Sequence, residues 1–448
     1  MDRAGLIDIR DRVLACMARD GFAGADPFDG LESRLFQASG LGRFGLARLC
    51  WVQAIKRGPD VLRKAARIPH MVNPKTLALL SGAGTGAVLA DVRDDLLALQ
   101  NPDGGWGYPF SWQARAFYAK HHQSNAIVAS FVVDGLMEGG VLADHPALIR
   151  AAEFIADPLW RDGYFAYFDD TDVEIHNASL WAGFALQRII GPNAKSEQAV
   201  ARVLRAQRSD GGWTYGTRAH HGFIDGFHTG YILDLLGRFR ASGMAGLDDA
   251  LACGWGFYRS HCFDHNGLPR SFADKDGYRD AHAVAQAMAS LCRFGDMDGA
   301  VKVARWAAGN LFDPERDVFF AGIGRLGPDR RNYMRWTQAW MVWGLSIVIE
   351  TMVMDQHPNS PVLAPDTPLV FAHPDPERNV KEAALRALSD TDFRALYAVT
   401  RKAAAEMKAR GEMEALYDLT RGLKTLQRIA GERGLILAPR PTVDGEQT

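Results

Sequence analysis

The sequence predicts an all-α fold: an (α/α)6-type toroid of helical hairpins with a C-terminal helical extension. Three observations predict it. A loop carrying glycine and an aromatic residue recurs about every fifty residues, the stretches between recurrences have helical apolar periodicity, and strand signals are sparse.

The recurring loops are LLALQNPDGGWGYPF around Gly105, DPLWRDGYFAYF around Gly163, VLRAQRSDGGWTYG around Gly212, YRSHCFDHNGLPRSF around Gly267 and NLFDPERDVFFAGIGR with Asp317 at the matching place. They are spaced by 58, 49, 55 and 50 residues. Each interval accommodates two helices and two connections, so each unit reads as one αα-hairpin. NAIVASFVVDGLMEGG, NASLWAGFALQRII, HTGYILDLLGRF, HAVAQAMASLCRF and TQAWMVWGLSIVIE are apolar on most faces and are expected in an inner ring packed on several sides. HPALIRAAEFIAD, SEQAVARVLRAQ and MDGAVKVARWAAGN are amphipathic and are expected outside it. Upstream, TLALLSGAGTGAVLADVRDDLLAL supplies a helix pair for a sixth hairpin.

The toroid is thereby expected over 76–355, after an N-terminal helical segment over 1–75. Residues 356–380 are rich in Pro and short polar residues and read as a linker, because proline interrupts a helix interior. Charged amphipathic helices follow over 381–435, suited to packing on the barrel or to forming a homo-oligomer, and the tail over 436–448 reads as disordered.

With 47% hydrophobic and 23% charged residues and a net charge of −2, the composition is that of an ordinary globular protein and names no partner. Five cysteines without a CxxC pair argue against a secreted disulfide scaffold. The start MDRAGLIDIRDRV lacks an apolar signal core and no apolar run reaches membrane-spanning length, so a cytoplasmic protein is expected. Residues 43–75 carry eight Lys or Arg against the single acid Asp60, interleaved with apolar residues. Such a stretch suits a basic outer helix or a peripheral contact with the anionic inner membrane face. No P-loop, GxGxxG, EF-hand or HExxH motif appears, and HCFDHNG lacks the second half of a zinc site. No cofactor, no metal and no nucleic acid are therefore expected.

The QxxDGGW blocks, Gln100 to Trp106 and Gln207 to Trp213, resemble loop motifs of α/α-toroid enzymes, including terpene cyclases and protein prenyltransferases. A longer ordered set runs through DPFDGL at Asp26, NPK at Asn73, GWGYPFSWQAR, IHNASL, IDGFHTGYIL and NYMRWTQAW. It is similar to a bacterial and archaeal family linked to surface-polysaccharide biosynthesis and likened to the helical domain of glucuronyl C5-epimerases. The resemblance spans about residues 25 to 350 and implies a toroid acting on acidic glycans.

In a helical toroid, residues at the starts of the inner helices face one mouth of the barrel. Those places hold His121, His122, Gln123 and Asn125, then His176 and Asn177, Asp225 and His228, Asp280 and His282, and Arg331, Arg335 and Trp336. Helix N-termini there suit an anionic ligand. Asn125, Asn177 and Asp280 also fit as N-caps. Five of these residues, Asn125, Asn177, His228, His282 and Arg335, occupy equivalent places and are expected around a common pocket.

Asp225 and His228 are three apart, share a helical face, and suit a carboxylate–imidazole pair for proton transfer, with Tyr231 following on the same face. His282 after Asp280 reads similarly. Arg331 and Arg335, with Arg115 and Arg270, would hold a carboxylate or phosphate. Trp106, Tyr108, Trp112, Tyr164, Tyr167, Trp213 and Tyr215 read either as stacking platforms for sugar rings or as core and loop packing.

The expected function is an enzyme acting on a uronate-containing saccharide, an acidic oligosaccharide or lipid-linked glycan of surface-polysaccharide biosynthesis, by C5 epimerisation or β-elimination. Hydrolysis on the same scaffold is an alternative and needs two carboxyl groups flanking the bond. A non-catalytic glycan-binding or scaffold protein is another. Isoprenoid cyclisation is a third, opposed by Asp169, Asp170 and Asp172, whose order DDTD matches neither DxDD nor DDxxD.

Overall fold

The structure is a computed structural model describing residues 1–82, 89–115, 117–275, 277–356, 367–371, 378–433, 435 and 437. The chain divides into two units, Met1–Met352 and Val353–Thr448. In chain order the helices are α1 (Arg3–Arg19), α2 (Arg34–Ala38), α3 (Gly45–Arg57), α4 (Asp60–Ala65), α5 (Pro74–Ser81), α6 (Leu89–Ala98), α7 (Ala126–Glu138), α8 (Pro146–Ala156) and α9 (His176–Ile190). They continue as α10 (Ala194–Arg205), α11 (Gly226–Ala241), α12 (Asp248–His261), α13 (Ala281–Arg293), α14 (Met297–Asn310), α15 (Trp340–Gln356), α16 (Arg378–Ala387), α17 (Asp390–Arg410) and α18 (Met413–Glu432). Among the described residues, strands are two- or three-residue pairs in the loops.

The first unit is an all-α toroid. Helices α5, α7, α9, α11 and α13 each pack on the next, and a π-helical turn, Met334–Ala339, leads into α15 and touches both α13 and α5, closing an inner ring of six. The apolar faces of α7, α9 and α13 are buried almost all round, as their sequences predict. Outside them, α6 packs on α5, α8 and α10 on α9, α12 on α11 and α14 on α13.

The sixth outer helix is α1, which packs on α14 and on the π-helical turn. The sequence reading placed residues 1–75 before the toroid. The structure instead buries Leu6, Ile9, Val13, Leu14 and Met17 of α1 in the same core as the ring. The signal was hidden because the loop from α1 to α5 is expanded to hold α2–α4 and lacks the recurring motif. Helices α5 and α6 thus belong to successive outer–loop–inner units rather than to one hairpin, and the residues between them, 83–88, lie outside the described residues.

The two GGW loops are structural staples with matching bonds. Trp106 Nε1 donates to the Leu96 carbonyl at 2.8 Å and Trp213 Nε1 to the Val203 carbonyl at 2.9 Å, each reaching back to the preceding outer helix. Gln100 Nε2 donates to the carbonyls of Gly104 and Ala147, and Gln207 Nε2 to those of Gly211 and Ala250, tying each loop to the next outer helix. Asp103 and Asp210 accept from the amides of Gly105 and Gly212. Gly104 and Gly211 have φ of 89° and 91°, and a Cβ on either would lie 2.3 Å from a carbonyl oxygen, of Arg150 or Cys253. Trp106 and Trp213 are fully buried in the core, which corrects their reading as sugar platforms.

At the C-terminal ends of the inner helices, Asp134 of α7 accepts from Arg238 of α11 at 2.6 and 2.9 Å and is also bonded by Arg188 of α9. Burial alone would raise this carboxyl, but the two guanidiniums override it and hold it at about 2.

In the second unit α17 and α18 form an antiparallel pair joined through Gly411, with α16 against α18, around Phe371, Leu385, Phe393, Leu396, Leu426 and Ile429. Most of the expected linker, at 357–366 and 372–377, and most of the tail lie outside the described residues. Among the described residues no helix is long and apolar enough to cross a membrane.

The staple predicts the cost of a methyl group. Gly104→Ala is expected to destabilise the fold by roughly 1–3 kcal/mol, read as a lower urea midpoint. Gly237→Ala, on a helix with nothing within 4 Å, is expected to leave the midpoint unchanged or raise it.

Candidate functional site

The toroid aims the N-termini of its inner helices at one mouth, where they and the loops enclose a cavity of about 480 Å³. Every inner helix or its leading turn contributes: Lys75 from α5, Ile127 from α7, Asn177 from α9, His228 and Tyr231 from α11, His282 from α13, and Arg335 and Trp336 from the π-helical turn. The loops add Tyr108, Phe110, Trp112, Tyr167, Tyr215, Phe223, Phe272 and Tyr278, so the walls are mainly aromatic.

Asp225 and His228 form the expected pair. Asp225 caps α11, its Oδ1 accepting the His228 amide at 2.8 Å, while Oδ2 lies 2.6 Å from His228 Nδ1. A carboxylate at that distance holds the ring proton on Nδ1 and leaves Nε2 as the basic atom. The imidazole lies against Tyr215 and Phe227, with centroids at 4.5 and 4.0 Å.

One turn along α11, the Tyr231 hydroxyl lies 2.6 Å from His282 Nε2, and both residues are buried. Burial pushes His282 well below the usual histidine range and Tyr231 well above the usual phenol range, so the pair is neutral near pH 7. His282 is clamped between Phe227 and Trp340, stacked at 4.4 and 4.3 Å, and its Nδ1 is buried without a hydrogen-bond partner. The rings of His228 and Tyr231 are 5.9 Å apart, so two titratable side chains share one wall.

Asp280 caps α13 through the His282 amide at 2.9 Å and accepts from Trp336 Nε1 at 3.0 Å. Burial raises its carboxyl to about 6, against the opposing pull of those two donors.

Three cations reach the cavity. Arg335 is buried and pairs bidentately with Asp26 at 2.6 and 2.9 Å, beneath the Tyr108 ring. Lys75 lies 3.7 Å over the face of Phe131 and near Tyr231 and Trp340, and Lys56 of α3 lies 4.0 Å over Phe28. Among the described residues no carboxylate is within ion-pair reach of either lysine. Aromatic faces favour an ammonium. Burial outweighs that attraction and lowers both amines, Lys75 strongly, with Arg335 adding repulsion there, while the charges of Asp280 and Asp26 partly oppose the shift at Lys56.

No family model matches the chain, and no curated protein does. Solved structures similar in fold include cellobiose 2-epimerase from Bacillus thermoamylovorans, at 12% identity and TM-score 0.48 over 62% of this chain and 86% of that one. A D-mannose isomerase matches at 8% identity and TM-score 0.47 over 62% and 86%, and a type II terpene cyclase from Scytonema at 14% and 0.43 over 62% and 87%.

Of the five residues expected at equivalent places, Asn177, His228, His282 and Arg335 line the cavity. Asn125 does not. It is fully buried as the N-cap of α7, bonding the Val128 amide. Asn177 is no cap: it lies within α9, and its Nδ2 is buried without a partner.

Tyr108, Trp112, Tyr167, Tyr215, Tyr231, Asp225, Asp280 and Trp336 also stand where the reading put them. Several others do not. His122 is exposed on a separate hollow beside Asp103, Asp169 and Asp170, and His176 is buried 4.0 Å from Glu174. Arg115 is exposed, Arg270 borders a neighbouring hollow with Arg279 and Trp306, and Tyr164 packs under Arg202. Arg331 is held by Asp329 and the Lys56 carbonyl, away from the cavity, because the strand Gly327–Asp329 ends on that carboxylate two residues before it. The reading of Arg331, Arg335, Arg115 and Arg270 as one anion clamp is thereby corrected to a single cavity arginine already bound to Asp26. Sequence reasoning missed Lys56, Lys75 and Asp26 as site residues, although DPFDGL and NPK mark two of these places.

The raised Asp280 carboxyl sets a pH dependence. Its folded form keeps a proton that the unfolded chain releases near 3.8, so its contribution favours folding at low pH and is lost as pH rises through about 6. Asp280→Asn, which retains an acceptor for Trp336, is expected to lack this loss. Urea midpoints measured from pH 4 to 7 are expected to fall for the wild type relative to the variant; parallel curves contradict a raised carboxyl.

Proposed function

We propose that this protein is a carbohydrate-active enzyme that moves a proton at the carbon beside a carboxylate, in a uronate unit of an acidic saccharide. The observation that carries the reading is the paired placement of Asp225–His228 and Tyr231–His282 on one wall of an aromatic cavity that also holds Lys75 and Lys56, neither within ion-pair reach of a carboxylate among the described residues.

His228 Nε2 takes the C5 proton, and Asp225 stabilises the imidazolium that forms. Lys75 and Lys56 face the substrate carboxylate. Its arrival raises their affinity for protons, and the resulting ammoniums stabilise the enolate as charge moves onto the carboxyl oxygens. Tyr231 supplies the second proton while His282 Nε2 steadies the phenolate left behind, and the proton taken up by His228 leaves through solvent, which restores the phenol once product departs. Delivery to C5 from the other side gives the epimer; delivery to the departing O4 gives the unsaturated uronate. With both groups on one helix face, elimination of hydrogen and O4 from the same side fits best. Aromatic walls suit the C–H faces of sugar rings. We place the substrate in surface-polysaccharide biosynthesis on the strength of the sequence resemblance.

Hydrolysis fits less well, because both oxygens of Asp225 are engaged by His228 and, among the described residues, Asp280 is the one other carboxylate lining the cavity. Isoprenoid cyclisation would use Asp280 as the acid within the aromatic wall, but Arg335, and Lys56 and Lys75 when protonated, would repel a carbocation.

The test is incubation with uronate-containing oligosaccharides in deuterated water, followed by proton NMR of C5–H and absorbance of the unsaturated product. His228→Ala and Tyr231→Phe are each expected to lower the rate by roughly 10²–10⁴-fold, and Lys75→Met to raise KM. Binding of the saccharide without exchange, elimination or cleavage defeats the reading in favour of a glycan-binding protein.

A further inference from the structure

The expanded loop between α1 and α5 builds a cap whose two faces differ. Its inner face belongs to the toroid: α3 buries Val52 and Ile55, packs on the strand Trp112–Gln113, and sends Lys56 into the cavity, while Arg48 bonds Gln113 at 2.9 Å. Its outer face is unusual for a water-facing helix. Leu46, Cys50, Ala54 and Arg57 succeed one another at helical spacing and are all exposed, so the solvent stripe of α3 is apolar and ends on a cation.

Neighbouring turns of the same segment carry further exposed apolar residues. Leu35, Leu41, Phe44, Leu46 and Val61 are 48–75% exposed, and they are five of the fifteen exposed large apolar residues among the described residues, drawn from a short segment. Apolar residues exposed singly need no explanation; a cluster does. Arg34, Arg43, Arg57, Lys64 and Arg67 are exposed in the same segment, against the single acid Asp60. A protein partner would have to present acids matched one by one to five exposed cations of one sign. Cations interleaved with apolar side chains instead match an anionic bilayer, which offers phosphates above an acyl boundary.

We propose that α2–α4 form a docking surface for an anionic lipid bilayer. Leu41, Phe44 and Leu46 enter the headgroup–acyl boundary, Arg43, Arg57 and Lys64 bind lipid phosphates, and the cavity mouth beneath α3 is brought to the membrane surface. The inference is independent of the reaction and survives its failure.

The experiment is co-sedimentation of the full chain with vesicles of phosphatidylcholine containing roughly 30% phosphatidylglycerol, and with phosphatidylcholine alone. Binding is expected to the anionic vesicles, to weaken with added salt, and to be weak or absent on neutral ones. Phe44→Asp with Leu46→Asp, and separately Arg43→Glu with Lys64→Glu, are each expected to lower partitioning at least about tenfold while circular dichroism shows both variants folded. The proposal is overturned by equal partitioning to both vesicle types, by no partitioning, or by full retention in either folded variant. It is equally overturned if light scattering shows a dimer that Phe44→Asp with Leu46→Asp dissociates while vesicles bind nothing, which would make the patch a contact between copies of the chain.

Discussion

Burial of the inner helices forces their first-turn amides to find acceptors within the protein, and the site is arranged around that constraint. A helix buried on every side cannot leave its N-terminal donors to water. Asn125, Asp225 and Asp280 supply the acceptors for α7, α11 and α13. Because those helices open onto the cavity, two of the caps are carboxyl groups at its wall, each with bonding capacity left over. Asp225 gives its second oxygen to His228, and Asp280 gives its remaining capacity to Trp336. The groups that terminate the helices are thus the groups that orient His228 and Trp336 at the cavity wall.

The same burial sorts the titratable groups. His282, sealed between Phe227 and Trp340, is held neutral against a phenol, whereas His228 is fixed by Asp225 through Nδ1. Arg335 is reconciled with the aromatic interior by Asp26, but Lys75 sits against ring faces with no carboxylate within ion-pair reach among the described residues. A desolvated amine in that position gains most from an anionic ligand, since the ligand supplies the opposite charge that the protein withholds. Selectivity for an acidic group would then come from an incomplete pairing rather than from a preformed ion pair.

How much of this was legible in the sequence depended on how local each interaction is. The ring of inner helices and the mouth they share were readable from the repeat, and Asp225–His228 was readable because its members are one helical turn apart. Tyr231 and His282 were named, but their bond spans adjacent helices 51 positions apart, and Arg335 meets Asp26 across 309. No spacing rule reaches that far. Trp106 and Trp213 misled for a chemical reason: a Gly-Gly-Trp loop resembles a pocket lip until the indole N–H is followed to a carbonyl of the preceding helix. Lys75 went unnoticed as a site residue because it closes a basic stretch and reads as one more surface charge.

The first outer–inner unit shows why one segment can carry two roles. In the GGW units the connecting loop is short and stapled, so its residues are committed to holding adjacent helices in register. The connection from α1 to α5 is long enough to make helices of its own, and its inner side lines the cavity with Phe28 and Lys56 and holds Arg335 through Asp26. Once those contacts are made, the opposite face of α3 has no structural duty toward the toroid. Leu46, Cys50 and Ala54 on that face contribute nothing to the cavity and would be more soluble as polar residues, so their apolar character requires a cause outside the first unit's core.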